Sequence, residues 1–209
     1  KGTGPVIDFS GDQAVSVVTG TGQSLLLTHD GSRGEMVRAS GGMALSIGGF
    51  VHAAGTLAIE KSSQLVTLAN KTTVQTDMLT VGGTDLQMFV GVGGPYRSDS
   101  NGDGVVDLND DTRPDAIGLS AVGGEFALGL FYERAQAQPR HWIALQASLA
   151  EAALVGVPGL TTTGSNIAVA LNLAPGLEGS AANEQVIDFS AAPLQVATGY
   201  GTFATLDMD

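Results

Sequence analysis

The sequence contains no cysteine, and this absence excludes several kinds of site. Without thiols the chain cannot form disulfides, hold zinc through cysteine or use a cysteine nucleophile. The three histidines, His29, His52 and His141, lie far apart, and none has a second metal-binding residue at helical or strand spacing. Any metal site in this chain is therefore expected to be built from oxygen atoms.

Positive charge is also scarce. Nine Lys and Arg residues stand against 21 Asp and Glu, which gives a formal net charge of −12. Nucleic acids and anionic membranes both need clustered cations on the protein that binds them. No apolar run approaches the roughly 18 residues of a transmembrane helix. We therefore expect no nucleic-acid partner and no membrane insertion.

What the chain has in quantity is small and aliphatic residues. Of its 209 residues, 43% are hydrophobic, 14% are charged and 30 are glycine. Segments that alternate or run apolar over strand lengths are separated by Gly, Asn, Asp or Ser. They are residues 43–47, 64–68, 85–92, 125–131 and 166–173. The pattern predicts an all-β fold, and it favours a long strand over a helix for residues 146–155.

An acidic segment near the middle of the chain has the spacing of a calcium loop. Calcium takes six to eight oxygen ligands, which a flexible loop supplies when carboxylates fall on alternate residues. Gly104 stands at the sixth position, where such a loop turns sharply. The predicted ligands are Asp99, Asn101, Asp103, the Val105 carbonyl, Asp107 and Asp110, with Asp111 in reserve. The alternative is an acidic surface turn that binds no metal.

This segment resembles the dockerin type of EF-hand loop, because its twelfth position is Asp110, and it also resembles the Asp-rich turns of thrombospondin type 3 repeats. The resemblance covers about a dozen residues and implies Ca²⁺ binding only. Pro114 follows closely, so we expect no helix after the loop and hence no dockerin-like partner. The loop is predicted to be a surface insertion, residues 95–114, between two strands.

The two ends of the chain repeat each other. Residues 6–10, Val-Ile-Asp-Phe-Ser, recur as residues 186–190, at an offset of 180. A glycine and apolar pattern then aligns residues 17–30 with residues 196–209 at an offset of 179. Such self-similarity indicates an array of repeats. We expect residues 1–185 to form one repeat module and residues 186–209 to open the next.

A weaker echo is a set of glycine pairs 41 residues apart, at residues 41–42, 82–83 and 123–124. We interpret these pairs as equivalent hairpin corners within the module. The alternative is chance, because glycine pairs are common in a glycine-rich chain.

No catalytic constellation is recognisable, so we expect no enzyme activity. Ser120 lies outside a complete nucleophile motif. Glu60 and Glu133 each precede a basic residue and are interpreted as solvated strand ends, not as paired catalytic acids. Trp142, the single tryptophan, is expected to anchor the core more than to stack on a sugar.

Together, these features resemble the tandem repeats of giant bacterial secreted and cell-surface proteins, the calcium-dependent adhesins and RTX-like exoproteins. The resemblance rests on unit length, glycine-rich β pattern, acid excess, missing cysteine and one Asp-rich loop. It implies an elongated antiparallel β meander within a tandem array, with a parallel β-solenoid as the alternative, in an extracellular or cell-surface protein. The Gly-Gly-x-Gly-x-Asp nonapeptide of RTX solenoids is missing, which favours the meander.

Two functions remain open from the sequence. The first is a calcium-binding spacer that extends a stalk and whose partners are neighbouring repeats of the same chain. The second is a calcium-dependent adhesive module that recognises a glycan or a protein. Tandem copying favours the spacer, because repetition lengthens a stalk and adds no new chemistry. Since the chain begins at Lys1, we also expect it to be a piece of a longer protein.

Overall fold

The structure is a computed structural model that describes residues 6–134, 139–175, 183 and 185–208. Asp209, which aligns with Asp30, and parts of the predicted module 1–185 lie outside the described residues. The described chain consists of ten strands and two short 3-10 turns, Gly11–Gln13 and Gly31–Arg33. The all-β prediction is confirmed. The strands are β1 (Val15–Gly20), β2 (Gln23–Leu27), β3 (Val37–Ile47), β4 (Val51–Thr67), β5 (Thr73–Val92), β6 (Ile117–Glu133), β7 (His141–Val155), β8 (Thr162–Leu173), β9 (Leu194–Ala197) and β10 (Phe203–Leu206).

The body of the structure is a six-stranded sheet in the order β3-β4-β5-β6-β7-β8. Each strand pairs antiparallel with the next along the chain, which is the predicted meander and not the solenoid. The segment Gln146–Val155, for which the sequence left a helix open, belongs to β7. Two further hairpins, β1-β2 and β9-β10, form separate two-stranded sheets.

A line of irregular residues crosses the sheet at mid-height. Gly55, Asp85, Gly123 and Asn166 all have positive φ, and pairing shifts register beside Gly55 and Asp85. A Cβ on Gly55 would lie 2.6 Å from the Leu86 side chain, so only glycine fits there. The expectation that glycine pairs mark hairpin corners is wrong. The pairs at 41–42, 82–83 and 123–124 lie inside β3, β5 and β6. The pairs 82–83 and 123–124 admit close approach or a bulge, whereas nothing lies within 4 Å of a Cβ added at 41 or 42.

The hydrophobic core lies between one face of the sheet and the segment 186–208. The largest fully buried side chains include Phe131 and Trp142 from the sheet and Phe189 from that segment. The Trp142 indole donates a hydrogen bond to the Gln185 carbonyl at 2.7 Å, so the expected core role of Trp142 is confirmed. The remaining core residues are Val66, Leu68, Val74, Met78, Ala127, Ala144, Ile187, Leu194, Val196 and Leu206.

The opposite face of the sheet is aliphatic and open among the described residues. Because side chains alternate along a strand, Ile59 points away from the side on which Ala58 and Glu60 are buried. Ile59 is 46% exposed, and Leu171 at the other side of the sheet is 43% exposed. One row of neighbouring residues runs through all six strands: Ala39, Ile59, Val81, Leu128, Leu145 and Leu171. Within the described residues there is no helix long and apolar enough to cross a membrane.

Candidate calcium-binding loop

The acidic loop lies in the connection between β5 and β6, between two strands as predicted. An antiparallel bridge between Arg97 and Thr112 closes its base. Beside this bridge the Arg113 backbone N–H donates to the Tyr96 carbonyl at 2.7 Å. The Arg97 guanidinium donates to the Asp110 carbonyl at 2.8 Å. The two ends of the loop are thus held together by backbone and arginine contacts.

Asp99 organises the first half of the loop. Its carboxylate accepts hydrogen bonds from the Gly102 N–H at 2.7 Å and from the Gly104 N–H at 3.0 Å. Both glycines have positive φ, 75° and 88°, a conformation that other residues rarely adopt. The sharp turn predicted at Gly104 is therefore present.

Short turns closed by Asn and Asp side chains continue through the loop. The Asn101 Oδ1 accepts from the Asp103 N–H at 2.9 Å, and the Asp103 Oδ1 accepts from the Val105 N–H at 2.8 Å. The Asp107 Oδ1 accepts from the Asn109 N–H at 2.7 Å. Each side chain caps the backbone two residues further on, which is the usual turn role of Asn and Asp. The side chains of Asn101 and Asp103 are exposed, and that of Asp107 is half-buried.

Asp110 differs from the other acids because it is buried, with 4% of its surface exposed. Its carboxylate accepts from the Ser100 N–H at 2.8 Å, from the Ser100 hydroxyl at 3.1 Å and from the Asp107 N–H at 2.9 Å. The backbone hydrogen bonds from Asp107 and then Ser100 hold the pKa of Asp110 below its usual range. Asp110 therefore joins the last turn of the loop to its first residues.

The donor set has the chemistry of a calcium site, because every predicted ligand atom is an oxygen. In the arrangement described, the side-chain oxygens of these residues accept hydrogen bonds from the loop itself. No group of three or more His, Cys, Asp or Glu side chains within the described residues is placed to hold a metal ion. Calcium binding would require the exposed Asp99, Asn101 and Asp103 and the half-buried Asp107 to turn inward, while Asp110 already lies at the loop exit.

The sequence did not indicate the residues that hold the loop closed. Ser100 donates to Asp110 and also accepts from the Asp111 N–H at 2.9 Å, so it links both ends. Ser100 stands at the second position of the calcium-loop pattern, a position that supplies no ligand. Arg97 lies before the motif begins, and only tertiary structure reveals its contact with the Asp110 carbonyl.

Two acidic residues outside the loop, Glu60 and Glu133, form ion pairs with arginine side chains. Glu60 is 3% exposed and accepts from Arg38 Nε at 2.8 Å and from Arg33 at 3.3 Å. The interpretation of Glu60 as a solvated strand end is therefore wrong, because the two arginines come from the chain before β3 and at its start. Glu133 accepts two hydrogen bonds from Arg140, both at 2.8 Å, which lower its pKa. Both carboxylates are thus engaged by arginine side chains.

Comparison with known protein families, with curated proteins and with solved structures gives no significant match. The site and its chemistry therefore have to be judged from the residues and contacts of this chain.

Proposed function

We propose that this chain is a calcium-binding structural repeat, a spacer in the stalk of a large bacterial secreted or cell-surface protein of the adhesin type. The observation that carries the proposal is the recurrence of one hairpin, with one sequence pattern, at both ends of a 209-residue chain. A repeated unit contributes length and stiffness, and an acidic oxygen-rich loop offers a place for calcium to reinforce it.

The loop supports the calcium part of the proposal through its chemistry. Five carboxylates, Asp99, Asp103, Asp107, Asp110 and Asp111, lie in one short connection, and their mutual repulsion opposes a closed loop. A bound divalent cation would offset that repulsion. Asp99, Asn101, Asp103, Asp107 and Asp110 would hold the ion, together with the Val105 carbonyl. Millimolar calcium outside cells is sufficient for a site of modest affinity.

The sheet supports the spacer part. β5 spans 20 residues, and β4 and β6 each span 17, so the strands are several times the common strand length. The loop lies between the two central strands β5 and β6. Fixing the loop therefore fixes one end of these two strands, which contribute Val74, Met78, Ala127 and Phe131 to the core.

A chain with two units tests the proposal: residues 1–185 followed directly by residues 6–209. Small-angle scattering in millimolar calcium should give a maximum dimension close to twice that of the single unit. The scattering measurement is repeated in chelator and on a two-unit chain with Asp103→Ala in both loops. These two controls show whether the length of the chain depends on calcium or only on the contact between the two units. Two units that tumble independently about a flexible link would contradict the spacer.

The open aliphatic face of the sheet favours a second candidate, an adhesive module that binds a partner. Its row from Ala39 to Leu171 is apolar, which fits a protein surface better than a glycan. Polar substitution of Ile59 and Leu171 together should then abolish binding to the target surface and leave the melting temperature unchanged. If the chain is only a spacer, the same double substitution should leave adhesion unchanged.

A further inference from the structure

The two hairpins at the ends of the chain have the same strand register. In β9-β10, Leu194 pairs with Leu206 and Val196 pairs with Ala204. In β1-β2, Val15 pairs with Leu27 and Val17 pairs with Leu25. Subtracting 179 from the residue numbers of each β9-β10 pair gives the corresponding β1-β2 pair. The repeat found in the sequence is therefore also a repeat of structure.

The surroundings of the two hairpins are opposite. Val196 and Leu194 are 0% and 6% exposed, because they lie against the six-stranded sheet. The equivalent Val17 and Val15 are 42% and 44% exposed. Ile187 is buried as well, whereas its counterpart Ile7 is 70% exposed. The first hairpin thus carries the same apolar side as the second, without a sheet to cover it among the described residues.

The second hairpin packs on the sheet at a docking site that is defined by specific contacts. The Asp188 N–H donates to the Thr67 carbonyl at 2.8 Å, and the Ala69 N–H donates to the Val186 carbonyl at 2.9 Å. Lys71 forms an ion pair with Asp188. The hairpin approaches so closely that a Cβ on Gly82 would lie 2.2 Å from the Ala197 carbonyl oxygen.

The first hairpin and the residues before it carry the same kinds of side chain that make contacts at this docking site. Asp8 stands where Asp188 stands, and it is exposed and without an ion pair in the contacts described. Phe9 corresponds to Phe189, which packs against Phe131 with ring centroids 6.0 Å apart. The apolar positions facing the sheet, Leu194, Val196, Ala204 and Leu206, become Val15, Val17, Leu25 and Leu27, all apolar.

We infer that residues 6–30 dock on the six-stranded sheet of a preceding unit of the same kind, at the docking site that residues 186–208 occupy here. Residues 186–208 already occupy the docking site on this unit's own sheet, so the partner of residues 6–30 has to be the sheet of another copy. This inference rests on the proposed tandem array and specifies its joint. Each unit completes the core of the unit before it, and the folding unit runs from about Gly31 to Met208.

The two-unit chain described above contains residues 6–30 twice, once at its free end and once at the joint. Val15→Thr together with Val17→Thr at the joint should lower the melting temperature of the first unit by about 10 °C, because two buried positions become polar. The same pair of changes at the free end is the matched control, with a shift below about 2 °C. Equal shifts at the two places would overturn the inference.

A single-unit chain gives a second readout. When residues 186–209 are replaced by residues 6–30, the melting temperature should stay within about 5 °C of the original. At the transplanted copy, Asp8→Asn should then remove the stabilisation between about pH 4 and pH 2 that the Lys71 pair gives. The same change at residue 8 of the original chain removes only the contribution of the hydrogen bonds from Ser10 and Gly31, which lower the pKa of Asp8 there. A replaced chain that is unfolded, or one in which Asp8→Asn leaves the acid profile unchanged, would contradict the docking.

Neither readout involves calcium, so failure of the joint is distinguishable from failure of the calcium site. A dimer detected by light scattering, in which copies exchange their last hairpins, would also contradict the inference, because the free hairpin would then not be the one that docks.

Discussion

Lys71 and Asp188 form an ion pair across 117 residues of sequence, and the pair holds the last hairpin on the sheet. The Lys71 ammonium, the Ser190 hydroxyl and the Ala191 N–H all donate to the Asp188 carboxylate, and together they lower its pKa to about 2. Lys71 lies in the turn between β4 and β5. The last hairpin is therefore joined at this point to the end of the sheet where β4 turns into β5.

This pKa predicts how stability depends on pH. The folded pKa of Asp188 is about 2, below the value of about 4 in an unfolded chain, so its stabilisation is present above pH 4 and is lost as the pH falls toward 2. Asp188→Asn should flatten the dependence of the free energy of unfolding on pH in that window, measured by urea denaturation. Asp115→Asn, at an exposed position, is the matched control. Parallel curves for Asp188→Asn and the original chain would contradict the prediction.

Calcium affinity should depend on Asp103. Asp103→Ala removes a predicted ligand and should abolish the binding heat in titration calorimetry. Asp115→Ala removes the same charge from an exposed position outside the loop motif and should leave affinity within about twofold. If Asp103→Ala binds calcium as the original chain does, the assigned ligand set is wrong.

Calcium should raise stability modestly. At about ten times the dissociation constant, mass action contributes about 1.4 kcal/mol, which corresponds to about 3–6 °C in melting temperature for a chain of this size. The shift should disappear in chelator and in Asp103→Ala. A melting temperature that is the same with calcium and with chelator would count against a structural role for the ion.

Glu60→Gln tests the buried ion pair with Arg33 and Arg38. The two arginines are partly exposed, with 39% and 27% of their side chains accessible, so their charges remain partly solvated when Glu60 is neutral. We expect a loss of about 1–3 kcal/mol in the free energy of unfolding. Glu35→Gln, at an exposed position, should change it by less than about 0.5 kcal/mol. A similar small effect at both positions would show that Glu60 contributes little.

Gly82→Ala tests the close approach of the last hairpin. Gly82 lacks a positive φ, so alanine suits its backbone, and the expected loss arises only from the Ala197 carbonyl oxygen 2.2 Å from the added Cβ. We expect destabilisation by about 1–3 kcal/mol, measured by chemical denaturation. Gly42→Ala, in β3 with no atom within 4 Å of the added Cβ, should be neutral or stabilising. Equal effects would place the hairpin elsewhere.

The sequence by itself determined that the chain is all-β and located a segment of each of the six strands of the large sheet, because alternation of apolar and polar residues reports which side of a strand is buried. It also determined the loop between β5 and β6, since the spacing of Asp99, Asn101 and Asp103 is local, and it located the repeat between residues 6–30 and 186–209. It could not predict that Glu60 is buried, because the arginines that pair with it come from outside its strand.

Only the tertiary structure decided which hairpin is covered. Val17 and Val196 lie in the same sequence pattern and the same register, yet one is exposed and the other is buried. The difference arises because the chain returns residues 186–208 to the sheet that precedes them, whereas no sheet among the described residues covers residues 15–27. Local pattern fixes the shape of a hairpin, but burial depends on which surface the rest of the chain brings against it.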